Sequence, residues 1–193
     1  SLIFKATIIL VVPFALMMAV FPELILITLF GPQYVSGALA LQILAIGAIF
    51  YSAWVICSTA LSGMGKPAFV TKVVFFAAFL NLALDIILVN EYTITGVAFA
   101  TAASSVIIFF LTYYYLKRDV RIKVNLTDMV KIAIGGLLFI GVIFMTKGLL
   151  DINPIAEAVI SFVAASVVYM LFIVVSGAVR KLDIEYLERS GLP

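Results

Sequence analysis

From residue 38 to residue 61 the chain runs 24 residues without an Asp, Glu, Lys or Arg. The pattern recurs along the whole sequence: apolar stretches of membrane-crossing length, each closed by a short polar or charged break. As a helix, about 20 apolar residues span about 30 Å, the thickness of a bilayer's hydrocarbon core. Six such stretches can be marked, at residues 2–21, 38–61, 67–89, 95–116, 129–149 and 154–178. The chain is 65% hydrophobic and 11% charged, against about 25% charged in a soluble domain. A soluble core of this size has no interior for so much apolar surface, so the natural solvent is lipid. In lipid every backbone polar group must be satisfied within the segment, which for runs of this length means helix. The expected fold is therefore all-α, an integral membrane helical bundle of six transmembrane spans. Residues 1–178 would form one six-span domain and residues 179–193 a cytoplasmic tail. The expected location is the plasma membrane of a prokaryotic cell, as a multi-pass protein.

The first stretch could continue through Pro22 to Phe30. A break at Phe21-Pro22-Glu23 is preferred, because Lys5 to Glu23 already covers about 27 Å as a helix. Leu24 to Phe30 then reads as a short interfacial segment leading into Gly31-Pro32-Gln33-Tyr34. Pro13 lies inside the first span and should kink it. The chain opens at Ser1 rather than Met, which suggests a piece of a longer protein.

Basic residues set the orientation. With six alternating spans, Lys5, Lys66, Lys72, Lys117, Arg118, Arg121, Lys123, Lys131, Arg180, Lys181 and Arg189 fall on one side, and Lys147 alone on the other. Both termini are then cytoplasmic. Tyr113, Tyr114 and Tyr115, just before Lys117, suit an interfacial aromatic belt.

Composition also excludes chemistry. There is no histidine, and Cys57 is the sole cysteine. That removes the commonest general base, disulfides and cysteine-based metal sites. No cofactor and no metal are expected. A net charge of +2, with no basic run interleaved with aromatics, gives no reason to expect nucleic acid. Ser62-Gly63-Met64-Gly65-Lys66-Pro67 resembles a phosphate loop only superficially. A Walker A loop needs a glycine where Ala60 stands and a hydroxyl where Pro67 stands. As a turn, each residue has a purpose: glycines for φ freedom, Pro67 to start a helix, and Lys66 and Lys72 to hold the turn at the cytoplasmic face.

The order of Leu29–Phe50 (LFGPQYVSGALALQILAIGAIF), Leu61–Lys72 (LSGMGKPAFVTK), Asn81–Val89 (NLALDIILV) and Thr95–Ser105 (TGVAFATAASS) resembles polysaccharide biosynthesis proteins. These are the lipid-linked oligosaccharide (O-antigen-type) flippases of the multidrug/oligosaccharidyl-lipid/polysaccharide exporter superfamily. The resemblance covers about residues 1–116. It implies two helical lobes around a central cavity in a protein of twice this many spans, of which this chain would be the C-terminal portion. The implied activity is flipping of polyprenyl-diphosphate-linked oligosaccharide between leaflets. The implied partners are membrane lipid, the lipid-linked oligosaccharide and the N-terminal lobe of the exporter.

Candidate functional residues are few. Asn81 and Asp85, at i and i+4, share a helix face. Asp85 is either an interfacial carboxylate or an intramembrane proton or cation site. Gln42, Tyr51 and Ser58 on the second span, with Ser62, suit either a polar cavity wall or interhelical hydrogen bonds. Gly96, Ala100 and Ser104 form a small-residue packing face. Lys66, Lys72, Arg118, Arg121 and Lys123 would contact headgroups or the lipid diphosphate. Asn125-Leu126-Thr127 matches a glycosylation acceptor, which the topology places in the cytoplasm. Three other functions remain open: a cation-coupled multidrug exporter, an integral membrane transferase, and a non-transporting assembly subunit. A transferase would need a catalytic constellation at one interface, and none is visible.

Overall fold

The computed structural model describes residues 2–119, 126–147 and 153–177. Every regular element among them is helical: α1 (Leu2–Val20), α2 (Pro22–Phe30), a 3-10 helix (Pro32–Gly37), α3 (Ala38–Gly63), α4 (Pro67–Asp119), α5 (Leu126–Thr146) and α6 (Pro154–Val175). Asn125 and the tail beyond Gly177 lie outside the described residues. Two compact units separate near residue 122: one holds α1 to α4, the other α5 and α6.

In the first unit the chain breaks at Phe21 (φ −118°, ψ 47°), and Pro22 opens α2 where its missing N–H costs nothing. The 3-10 turn follows Gly31, whose φ of 104° favours glycine. α1 and α3 run antiparallel. Phe4 packs against the cluster of Cys57, Leu61 and Leu116 at one end, and at the other Gln42 donates to the carbonyl of Ala19 at 2.8 Å. That carbonyl belongs to the last turn of α1, where no intrahelical donor remains, so an amide inside an apolar span meets a real need.

α4 is one helical run that folds back on itself. Only Thr93 departs from helical angles, at φ 50° and ψ −127°. The two arms then pair antiparallel. Phe69 stacks on Tyr115 at 3.6 Å, Asn81 lies beside Thr101, and Gly96 faces Leu88. A turn was expected at this place, but over residues 90–94 rather than through one β-branched residue at positive φ. α3 packs along the hairpin, with Gly47 directly against Ala102. The expected small-residue face is present, since Ala100 and Ser104 are buried.

Ser62 to Pro67 forms a helix cap. The Lys66 N–H donates to Leu61 O at 3.0 Å and the Gly65 N–H to Ser62 O at 3.1 Å, with Gly65 at φ 75°. This is the Schellman arrangement, in which a left-handed glycine lets the chain satisfy the last carbonyls of α3. Pro67 then starts α4.

The second unit is an antiparallel helical pair. Thr146 bonds to Ser161 at 2.8 Å at one end. Lys131 donates to the Ser176 carbonyl at 2.6 Å at the other. Midway, Tyr169 lies against Gly135 and edge-on to Phe139.

Burial is inverted relative to a soluble protein. The buried positions are rich in alanine, including Ala40, Ala45, Ala53, Ala98, Ala100, Ala158 and Ala165. Large apolar side chains such as Phe75, Phe79, Met145 and Val175 are exposed. Small residues between helices and large ones outside is the arrangement lipid favours. Among the described residues five helices are long and apolar enough to cross a membrane: Ile3–Val20, Pro32–Gly63, Pro67–Arg118, Thr127–Thr146 and Pro154–Val175. The reversal at Thr93 makes two arms of the third, each about 39 Å long at helical rise.

Candidate functional site

The α4 hairpin brings Asn81, Asp85 and Thr101 together. Asn81 and Asp85 share one face of the first arm, and the antiparallel pairing places Thr101 of the second arm opposite. As placed, the Asn81 amide nitrogen lies 3.4 Å from Thr101 Oγ1. Turned over, the orientation its neighbours favour, the amide N–H donates to Asp85 Oδ2 at 3.3 Å and its oxygen accepts from the Thr101 N–H at 3.2 Å. The other carboxylate oxygen, Oδ1, is buried and has no hydrogen-bond partner among the described residues. Asp85 lies eight residues before Thr93, about 12 Å along the arm, and 13 residues after Lys72, about 20 Å. A carboxylate and an amide thus meet between the two arms, with the Thr101 hydroxyl beside the amide. Such oxygens can share a proton or ligate a small hard cation. Sequence reasoning singled out Asn81 and Asp85 but not Thr101. Asn81 stands 12 residues before the reversal and Thr101 eight after it, so spacing alone does not pair them.

The remaining pathway candidates lie elsewhere. Gln42 is committed to the end of α1. Ser58 is buried and its hydroxyl donates to Val55 O at 2.8 Å within its own helix. Tyr51 is exposed, with its ring 5.3 Å from that of Trp54. The structure does not bring these three to Asp85.

Cations gather at the opposite end of the hairpin. Lys66 sits over the Tyr115 ring at 5.3 Å, and Lys72, Lys117 and Arg118 are exposed. Arg121 and Lys123 lie outside the described residues. Beside these cations a groove of about 350 Å³ runs between the arms, lined by Phe69, Lys72, Val73 and Phe76 from the first and Leu111, Tyr114 and Tyr115 from the second. Among the described residues no three His, Cys, Asp or Glu side chains cluster as a metal site would need.

Over 170 residues, 88% of its length, the chain is 33% identical to an uncharacterized membrane protein of Methanocaldococcus jannaschii, covering 33% of that protein. It is 37% identical over 98 residues to a second uncharacterized membrane protein of that organism, covering 51% of this chain and 24% of that one. The chain is a multi-pass membrane protein. Among the described residues its helices are long and apolar enough to cross a membrane, as membrane-protein relatives require. It is also similar to the probable low-salt glycan biosynthesis flippase Agl15 of Haloferax volcanii, 29% identical over 160 residues, which cover 83% of this chain and 34% of that protein. The chain thus spans about a quarter to a third of the length of the curated relatives it matches. No protein-family model and no solved structure matches it.

Proposed function

We propose that this chain is the C-terminal part of a membrane exporter, not an enzyme, that flips polyprenyl-diphosphate-linked oligosaccharide from the inner to the outer leaflet. The similarity to a probable glycan biosynthesis flippase over 83% of the chain carries the reading. The Asn81–Asp85–Thr101 group supports it from the geometry. A flippase alternates between two conformations, and an ionisable group can couple a proton or cation to that exchange. A carboxylate held between two helices, with one oxygen unpartnered among the described residues, is suited to that role. The cations near Lys66 orient the hairpin with this end in the cytoplasm.

The test uses the full-length protein in vesicles with fluorescently labelled lipid-linked oligosaccharide, scoring protection of the sugar from an external quencher. Wild type should move the label across. Asp85→Asn should slow transport at least tenfold while the amount of inserted protein stays constant. Unchanged transport in Asp85→Asn removes the coupling role. No movement of the label by wild type, under any ion gradient, removes the flippase reading.

A further inference from the structure

The groove at the cationic end of the α4 hairpin has two chemically distinct parts. Its walls are apolar and aromatic, with Phe76 and Tyr114 open to the surroundings. Phe69, Lys72, Val73 and Phe76 fall at i, i+3, i+4 and i+7, one stripe of the first arm. Leu111, Tyr114, Tyr115 and Arg118 fall on the facing stripe of the second. Both stripes therefore carry a cation, Lys72 within the lining and Arg118 one turn past it. Lys66 and Lys117 lie at the same end. Among the described side chains of this unit, Glu23 and Glu91 lie at the other end, after α1 and before the reversal. Lys72 lies 21 residues from Thr93, about 32 Å, close to one hydrocarbon thickness. With the reversal at one membrane face, the Lys72 ammonium reaches headgroup level at the other.

We propose that this groove holds one resident anionic phospholipid, with an acyl chain between the two stripes and its phosphate on Lys72 and Arg118. The occupant must be apolar along the groove and negative at one end, which an acyl chain with an anionic headgroup satisfies and a free phosphate does not. Lys72 and Arg118, with Lys117 beside them, select for net negative charge. A zwitterionic lipid brings an ammonium group that they repel. Basic pockets between membrane helices on the cytoplasmic side recognise lipid headgroups in this way. The volume of about 350 Å³ lies within the range of ligand clefts, about 300–1,000 Å³. Burying the chain is favourable only where water is displaced. In a bilayer the acyl chain leaves other lipid, so selectivity rests on the headgroup. This site is independent of the cargo and of the Asp85 group, and it stands or falls separately from the flippase reading.

The test is native mass spectrometry of the full-length protein released from mild detergent with equimolar phosphatidylglycerol and phosphatidylcholine. One phosphatidylglycerol should stay bound, at least fivefold over phosphatidylcholine. The double substitution Lys72→Gln with Arg118→Gln should abolish the preference, and Lys72→Arg should keep it. Leu111→Trp fills the groove from an exposed position with every charge intact. It should also lose the bound lipid, which guards against a double variant that fails to fold. Equal retention of the two lipids overturns the proposal, as does full retention in either the double variant or Leu111→Trp. One-for-one displacement by a short polyprenyl diphosphate also overturns it, because the groove would then belong to the transport path.

Discussion

Gly47 is where α3 touches the second arm of α4, and it offers a quantitative test of that packing. A Cβ added there would stand 2.9 Å from both Cα and Cβ of Ala102. Neither atom can rotate away, so the helices must separate by roughly 1 Å to reach ordinary carbon contact, about 3.5–4.0 Å. Overpacking of this kind costs about 1–3 kcal/mol. Against it, alanine gains about 1 kcal/mol over glycine in a helix interior. Gly141 in α5 supplies the reference, because a Cβ there meets nothing within 4 Å. The propensity gain is common to both substitutions and cancels on subtraction. Gly47→Ala should therefore be less stable than Gly141→Ala by about 1–3 kcal/mol. Adding Ala102→Gly to Gly47→Ala should recover only part of this, since Ala102 Cα is as close as its Cβ. The assay is equilibrium unfolding of the purified full-length protein in mixed micelles, with retained helicity confirming that each variant inserts. Equal stability of Gly47→Ala and Gly141→Ala, within about 0.5 kcal/mol, would refute the contact between α3 and the hairpin.

Three further outcomes follow from the geometry. Thr93→Gly should stabilise the hairpin by up to about 1 kcal/mol, because glycine carries no penalty at φ 50°; an unfolding curve identical to wild type would deny the strain. Lys131→Met should cost about 1–2 kcal/mol by removing the 2.6 Å charge-assisted bond to the Ser176 carbonyl at the end of α6, read by the same unfolding assay, with Lys131→Arg costing less. Cys57 is buried, so in a background without other reactive thiols a cysteine at Met64 should react with an impermeant maleimide from the cytoplasmic face and one at Tyr92 from the outer face. The opposite labelling would reverse the assigned orientation.

The sequence located the helices to within a few residues, and punctuation is the reason. Pro22, Pro67 and Pro154 each open a helix, and Gly65 closes the cap between α3 and α4. α5 starts at Leu126, three residues before the expected span, because Asp128 looked like a break. At the first turn of a helix an acidic side chain meets free N–H groups and is stabilised there. The reversal at Thr93 had no such signal. Residues 90–94, Asn-Glu-Tyr-Thr-Ile, contain neither glycine nor proline, and a strained φ is a product of packing that no composition announces. Thr101 was missed for the same reason. Its proximity to Asn81 depends on the register that the one-residue turn imposes, and a turn longer by one residue would rotate it off that face.

Polar residues inside the spans divide by what they can bond. Ser52, Ser58, Thr59, Thr71 and Ser105 each donate to a carbonyl three or four residues earlier in the same helix. A hydroxyl satisfied in this way is at home in lipid or in a packed interface, so its presence says little about water. An ionised carboxylate has no such recourse, because it only accepts and its own helix offers no spare donor in mid-span. Asp85 takes one amide N–H from Asn81, and its second oxygen still requires a proton, a cation or water. Phe75, Phe79, Leu82 and Ile86 are exposed. At 100° per residue they centre roughly 110° around the helix from the Asn81–Asp85 pair. One flank of the first arm is therefore exposed and apolar, and an adjacent flank turns Asn81 and Asp85 toward Thr101 of the second arm.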